Sequence, residues 1–350
     1  MHDSIKQAMM NSARGQPPLT PLEPPEQPIF NTPDMAPREL EKFIHKHGVI
    51  GQDAAVKTAA LICYRHFTMN CASVSLFAGP TGSGKTHTWR VLAKLFPHYI
   101  HIFDASNLTN EGWKGSNKIS YQFRSIHPAT REHCIIVFDE FDKLLEPKIS
   151  GDMNVSESLQ NELLRLFDHD TLFFGPERND DQPLTINAKG VSCVLLGAFD
   201  NLIKSKSKAP VSLGFGGTPK GTTLTYADTD IQIDDIMRFT QIRAELASRI
   251  DRTVCLRPLS STDYYRILLR HVDDLCHKTG STFTIDPVKL QDIAAEAVQK
   301  PLGARWAIAQ ISKIIDDLVY DDPFETNYVY PSDYERTVTN DDEGQVDPPY

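Results

Sequence analysis

Eight consecutive residues carry most of the chemistry this chain can do. Gly79-Pro80-Thr81-Gly82-Ser83-Gly84-Lys85-Thr86 read G-x-x-x-x-G-K-T, a phosphate-binding P-loop. Its glycines let backbone N–H groups turn inward around a phosphate without Cβ clashes. The helix that follows adds partial positive charge at its N-terminus. Lys85 can reach the β- and γ-phosphates, and Thr86 can place its hydroxyl on Mg²⁺. His87 stands in the first turn after the loop and joins the binding set. Downstream, Cys134 to Glu140 is an apolar run ending in two acids. Asp139 would hold Mg²⁺, directly or through water, and Glu140 would polarise the attacking water. A P-loop followed by such an acid pair implies hydrolysis of ATP rather than binding alone.

These groups need a scaffold that brings strand ends and helix starts together. An apolar run ending at Ala78 precedes the P-loop, and a helical pattern from Thr86 to Leu95 follows it. Strands are expected at Ser73–Ala78, Tyr99–Asp104, Cys134–Asp139 and Val191–Gly197, alternating with helical patterns such as Ser158–Phe167. In a parallel sheet, ligands bind at the carboxyl edge, where the P-loop and the acid pair both fall. Helices are expected from Pro37 to His47 and from Asp53 to about Met69, broken by Gly48–Gln52. After Arg257-Pro258 the patterns turn helical, at Ser261–His271, Asp286–Gln299 and Gly303–Val319, with a short strand at Thr282–Ile285. The fold class is therefore α/β: a P-loop large domain with a parallel sheet flanked by helices, plus a small, mainly helical C-terminal domain. The expected boundaries are a flexible Pro-rich arm at 1–36, a large ATPase domain at 37–256, a small domain at 257–338 and an acidic tail at 339–350.

Composition narrows the partners. The chain has 350 residues and a formal charge of −10, which argues against a broad nucleic-acid footprint. No apolar run is long enough to span a bilayer, and the N-terminus lacks a signal-peptide pattern. Six cysteines with no C-x-x-C pair suggest buried free thiols in a reducing cytoplasm. The twelve histidines are scattered and read as surface residues rather than metal ligands.

Several motifs in order resemble the AAA+ proteins of the Clp/Hsp100 group, and within it the unfoldases of ClpX and HslU type. Gly48-Val49-Ile50-Gly51-Gln52 resembles the V-I-G-Q segment, so the resemblance implies that Val49 and Ile50 wall the adenine; on the residues alone both could be core. Gly112-Trp113-Lys114-Gly115 resembles the pore loop, usually G-Y-V-G, which implies that Trp113 grips a polypeptide and Lys114 stands beside it. A tryptophan packed under a loop is the other reading. Ser150–Glu157 falls at the second pore loop or is a plain surface loop. The family's R-K-H charged loop has no match in Phe174–Ala188. Leu196-Gly197-Ala198-Phe199 resembles the first sensor strand without its polar residue. Ala244–Ile250 resembles the arginine-finger segment, which implies that Arg249 reaches a neighbour's γ-phosphate; Arg243 and Arg252 compete for that role, and a surface ion pair is the alternative. Gly303-Ala304-Arg305 matches the second sensor, implying that Arg305 reads the phosphates from the small domain. Leu213-Gly214-Phe215 resembles the loop that docks such rings onto a ClpP-like peptidase; otherwise Phe215 tucks back onto its own domain. The zinc-binding N-terminal domain of ClpX has no counterpart.

The resemblance implies a homo-oligomeric ring, expected to be a hexamer, that uses ATP and Mg²⁺ to thread protein substrates, with a ClpP-like peptidase as a candidate partner. No membrane partner is expected, and nucleic acid is disfavoured. Two other classes stay open: a remodelling or assembly factor without a peptidase, and a nucleic-acid motor.

Overall fold

The computed structural model describes residues 35–109, 118–147, 149–150, 153–176, 182–203 and 230–330. Trp113, Lys114 and Leu213-Gly214-Phe215 lie outside the described residues, as do residues 1–34 of the Pro-rich arm and the acidic tail.

Two helices open the described chain, α1 (Pro37–Lys46) and α2 (Asp53–Met69). Strand β1 (Val74–Ala78) then leads through the P-loop into α3 (Lys85–Leu95). Next come β2 (Ile100–Asp104), α4 (Ile119–Ser125), β3 (Ile135–Asp139) and the short α5 (Phe141–Leu144). A two-residue pairing of β4 (Ile149–Ser150) with β5 (Met153–Asn154) precedes α6 (Val155–Phe167). The hairpin β6 (Thr171–Phe174) and β7 (Leu184–Asn187) leads to β8 (Ser192–Gly197). Then follow α7 (Ile233–Phe239), α8 (Ala244–Ala247) and β9 (Arg252–Cys255). The remainder is α9 (Ser261–Thr279), β10 (Thr282–Ile285), α10 (Pro287–Ala297), α11 (Ala304–Asp321) and β11 (Asn327–Tyr330).

The main sheet is five-stranded, in the order β2-β3-β8-β1-β9, and every pairing is parallel. Its central strands are buried on both faces, as the continuous apolar runs require. Alternation along each strand divides the core in two. Leu76, Ile136, Phe138 and Leu195 face one cluster, with Phe123 and Leu163 from α4 and α6 packed on it. Phe77, Val137, Val194 and Leu196 face the other, covered by Ile44, Ala59, Trp89 and Leu92 from α1–α3. The C-terminal helices gather around a third cluster that includes Tyr264, Leu268, Ile293 and Ile311.

Three elements differ from the sequence expectation. Arg252–Cys255 forms the fifth strand, where only a change of domain was read; it is a half-exposed edge, so its run is too short and too mixed to signal. Asn327–Tyr330 pairs in parallel with β10, a strand the sequence reading did not place; Tyr328 stacks on Phe283 with centroids 5.1 Å apart. Helix α9 extends to Thr279 rather than His271, and Gly280 ends it in the left-handed conformation at φ 73°. The stretch at 150–157 is also less loop-like than either reading supposed, since α6 begins at Val155.

Candidate active site

The P-loop sits at the carboxyl edge of the sheet because β1 is central and its chain must turn sharply into α3. Gly79 opens that turn under tight packing. A Cβ there would lie 2.8 Å from the Leu256 Cβ and 2.9 Å from its carbonyl oxygen. Gly82 and Gly84 adopt φ of 80° and 97°, the left-handed region glycine enters at little cost. A Cβ on Gly84 would meet nothing within 4 Å, so this stretch of backbone faces open space. The Ser83 hydroxyl is buried with no hydrogen-bond partner among the described residues. Such a group calls for a ligand.

Lys85 points back over the loop. Its Nζ donates to the carbonyls of Gly79 and Pro80 at 2.6 and 2.9 Å. Burial draws its pKa down from 10.5 to about 8, against the pull of Asp142, Asp139 and Asp200 and with a further push from Arg305. An anion arriving here would restore the charge. Thr86 donates its hydroxyl to Asp139 Oδ1 at 3.1 Å, so the end of β3 and the start of α3 present adjacent oxygens. The backbone N–H of Glu140 also donates to Asp139 Oδ1, at 3.1 Å. Glu140 itself is held at φ 55°, a left-handed conformation costly for a residue with a side chain. The turn carries its exposed carboxylate out of the sheet edge beside Asp139. Asp142 accepts a hydrogen bond from the Phe199 N–H at 3.2 Å, tying α5 to the end of β8. Phe199 is also left-handed, at φ 54°, and its ring fills the space a Cβ on Gly197 would need.

A cavity of about 360 Å³ lies against the loop. Val49 and Ile50 form one wall, Gly82 to His87 the floor, and Ala304 with Arg305 close it from the C-terminal helices. The structure thus brings Val49, Ile50, Gly82–Thr86 of the P-loop, His87 and Arg305 to one cavity, which Gly79, Pro80 and Thr81 do not line. It adds an apolar wall of Leu259, Ile267 and Ile308 that no motif signalled, and a cation, Arg90. Burial lowers the His87 pKa, partly offset by a hydrogen bond with the Gly48 backbone. An apolar slot beside a polar, N–H-rich loop fits a nucleoside triphosphate: base on Ile50 and its neighbours, phosphates at Ser83–Thr86. Gly303 is required at the mouth of α11, since a Cβ would come within 2.5 Å of the Tyr264 hydroxyl.

The P-loop and the end of β3 fall within a match to a known family. The model for "ATPase family associated with various cellular activities (AAA)" matches residues 75–189, from β1 to just before β8. The ATP-dependent Clp protease ATP-binding subunit ClpX of Treponema denticola is 28% identical over 324 residues, covering 82% of this chain and 77% of the relative. The protein of the same name from Bacteroides thetaiotaomicron is 26% identical over 329 residues, covering 84% and 79%.

The chain is an ATPase, similar over most of its length to proteins named as ClpX. This ATPase binds ATP. The arginines with competing claims to a finger role are held differently. Arg249 pairs with Asp168 through its Nε, and its Nη1 donates to Ser248 Oγ at 3.1 Å. Arg243 pairs with Asn161, and its Nε lies 3.4 Å from Glu245. Arg252 lies in strand β9 with its Nε buried and without a partner among the described residues. The cysteines are all free: Cys63, Cys134 and Cys193 are buried, and burial pushes Cys134 up to about 12. Among the described residues no helix is long and apolar enough to cross a membrane.

Proposed function

We propose that this AAA+ ATPase is a ring-forming protein unfoldase that threads polypeptide through a central pore. The observation that carries the reading is the nucleotide cavity closed by Arg305 and Ile308 from the C-terminal helices. Residues from opposite ends of the described chain meet on one small volume, so occupancy there can be converted into relative movement. The similarity to proteins named as ATP-binding subunits of a Clp protease supports a protein client over a nucleic-acid one, as does the net charge of −10.

In this reading Lys85 leaves the Gly79 and Pro80 carbonyls and binds the terminal phosphates as a cation. Thr86 and Asp139, already 3.1 Å apart, supply oxygen ligands for Mg²⁺. The metal would neutralise charge on the phosphates. Glu140 holds the attacking water and takes its proton. Arg305 contributes positive charge from the opposite wall. Arg249, on the subunit surface, completes the site of a neighbouring subunit. Trp113 and Lys114 grip the client, and Leu213-Gly214-Phe215 dock a ClpP-like peptidase.

The test is capture from a lysate in ATP with Glu140→Gln as a trap. It is compared with the same protein carrying Trp113→Ala or Phe215→Ala. Clients lost with Trp113 and a peptidase lost with Phe215 are the expected result. An unchanged captured set in both would remove the threading and docking roles and leave a remodelling factor that releases its client intact.

A further inference from the structure

The loop from Gly48 to Gln52 does more than wall the nucleotide cavity. Gln52 stands at φ 61°, a left-handed conformation that glycine or asparagine would adopt more cheaply. A glutamine kept in that conformation points to work for its side chain. The side-chain amide supplies it. Nε2 donates to the Arg257 carbonyl at 2.6 Å, and the Arg257 N–H donates to Oε1 at 3.1 Å. Both polar groups of a single backbone unit are taken, as a neighbouring strand would take them. Only a carboxamide offers a donor and an acceptor in that geometry, and asparagine is one methylene shorter.

Arg257 is the junction between β9 and α9. Just before it, the Leu256 N–H donates to the Ala78 carbonyl at 2.7 Å, and Leu256 packs where Gly79 begins the P-loop. Its own guanidinium reaches Asp230 at 2.6 Å. Three residues on, Ser260 and Asp263 cap α9 reciprocally. The Asp263 carboxylate lies over Gly51, 3.4 Å from the position of a Cβ, and Arg270 lies over Gly48 in the same way at 2.9 Å. The next residue, Tyr264, packs against Gly303 at the start of α11, its hydroxyl 2.5 Å from where a Cβ would stand. That helix carries Arg305 into the cavity. An unbroken series of contacts therefore runs from Val49 and Ile50, through Gln52 and Arg257, to the first turn of α9 and on to Arg305.

We propose that Gln52 is a positioning residue: its amide clamps the base-lining loop to the Arg257 backbone, so that filling the nucleotide cavity sets the placement of α9 and α11. The inference rests on the ATPase activity alone and needs neither a pore nor a peptidase.

Backbone hydrogen exchange on the full chain tests it, with and without a non-hydrolysable ATP analogue and Mg²⁺. In the unaltered protein the analogue should slow exchange both at residues 79–86 and at residues 256–264. In Gln52→Ala, at saturating analogue, slowing at 79–86 should persist while slowing at 256–264 falls about tenfold. Gln52→Glu keeps the acceptor for the Arg257 N–H but sets a carboxylate against its carbonyl. It should show the same split and serves if the alanine variant does not fold. Three outcomes overturn the proposal: no slowing at 256–264 in the unaltered protein, full slowing there in both variants, or loss at both segments together.

Discussion

The two ends of the central sheet handle polar groups in opposite ways. At the carboxyl end, groups are left with bonding capacity to spare. Ser83 has no partner among the described residues, Lys85 rests on loop carbonyls, and Glu140 is held exposed at φ 55°. At the amino end, polar groups mostly close on one another. Asp251 accepts the Val74 N–H at 2.7 Å, and Ser192 Oγ accepts the Ser73 N–H at 3.1 Å. Ser192 also shares a 2.8 Å hydrogen bond with His66 Nδ1, and His66 stacks on His133 with centroids 4.6 Å apart. One end is built to bind and the other to hold the sheet, so changes at the two should separate cleanly into activity and stability.

The sharpest way to break that division is Lys85→Ala. In the proposed site it would remove two charge-assisted bonds to phosphate, each worth about 1.5–3 kcal/mol, so nucleotide affinity should fall about 10²–10⁴-fold by calorimetry. Thermal stability without nucleotide should hold or rise, because a buried charge is lost. Retained tight binding would remove Lys85 from the site.

Glu140→Gln should bind ATP normally yet turn over about 10²-fold more slowly or worse in steady-state assay. Wild-type turnover would take Glu140 out of the mechanism.

Acid and alkali should then attack different ends. The Lys85 pKa, drawn down to about 8 by burial, lies below its unfolded value, so its charge is lost as pH rises through about 8. Nucleotide affinity should weaken there by up to about tenfold per pH unit. His66 behaves as a buried neutral imidazole, its pKa lowered from 6.5 to about 3 by burial and the neighbouring His133. Between those values the unfolded chain binds the extra proton. Stability from this group is therefore complete above about 6.5 and declines as pH falls toward about 3. Melting midpoints against pH, beside nucleotide titrations against pH, check both limbs. A shared pH dependence would contradict the division.

The smallest effect is Ser192→Ala. It leaves the Ser73 N–H and His66 without their bond and should cost about 1–3 kcal/mol in denaturant unfolding. Turnover at permissive temperature should be unchanged.

How much of this was legible follows from where each signal lies in the chain. The P-loop, β1 and α3 are contiguous, and their roles depend on backbone turns that glycines at fixed spacing permit. The acid pair stood out only by its place after the P-loop, since many strands end in a solvated acid. The edge strand β9 was not, since its residues are half-exposed and gain their partner only from β1. Gln52 showed only as the last letter of a motif. Its use depends on Arg257, 205 residues away, and no local pattern carries that distance. The apolar wall of Ile267 and Ile308 reads as ordinary helix core until α9 and α11 meet the P-loop.

The sequence by itself determined that the chain is a P-loop ATPase with a parallel sheet, because both are set by short-range backbone preference and by the order of motifs. Tertiary structure decided the rest. It drew Val49, Ile50, Lys85 and Arg305 around one cavity, lowered the Lys85 pKa by burying it, paired Arg249 with Asp168, and set Gln52 against the backbone of Arg257. Those outcomes depend on which surfaces are excluded from water together, and that is settled only when distant segments pack.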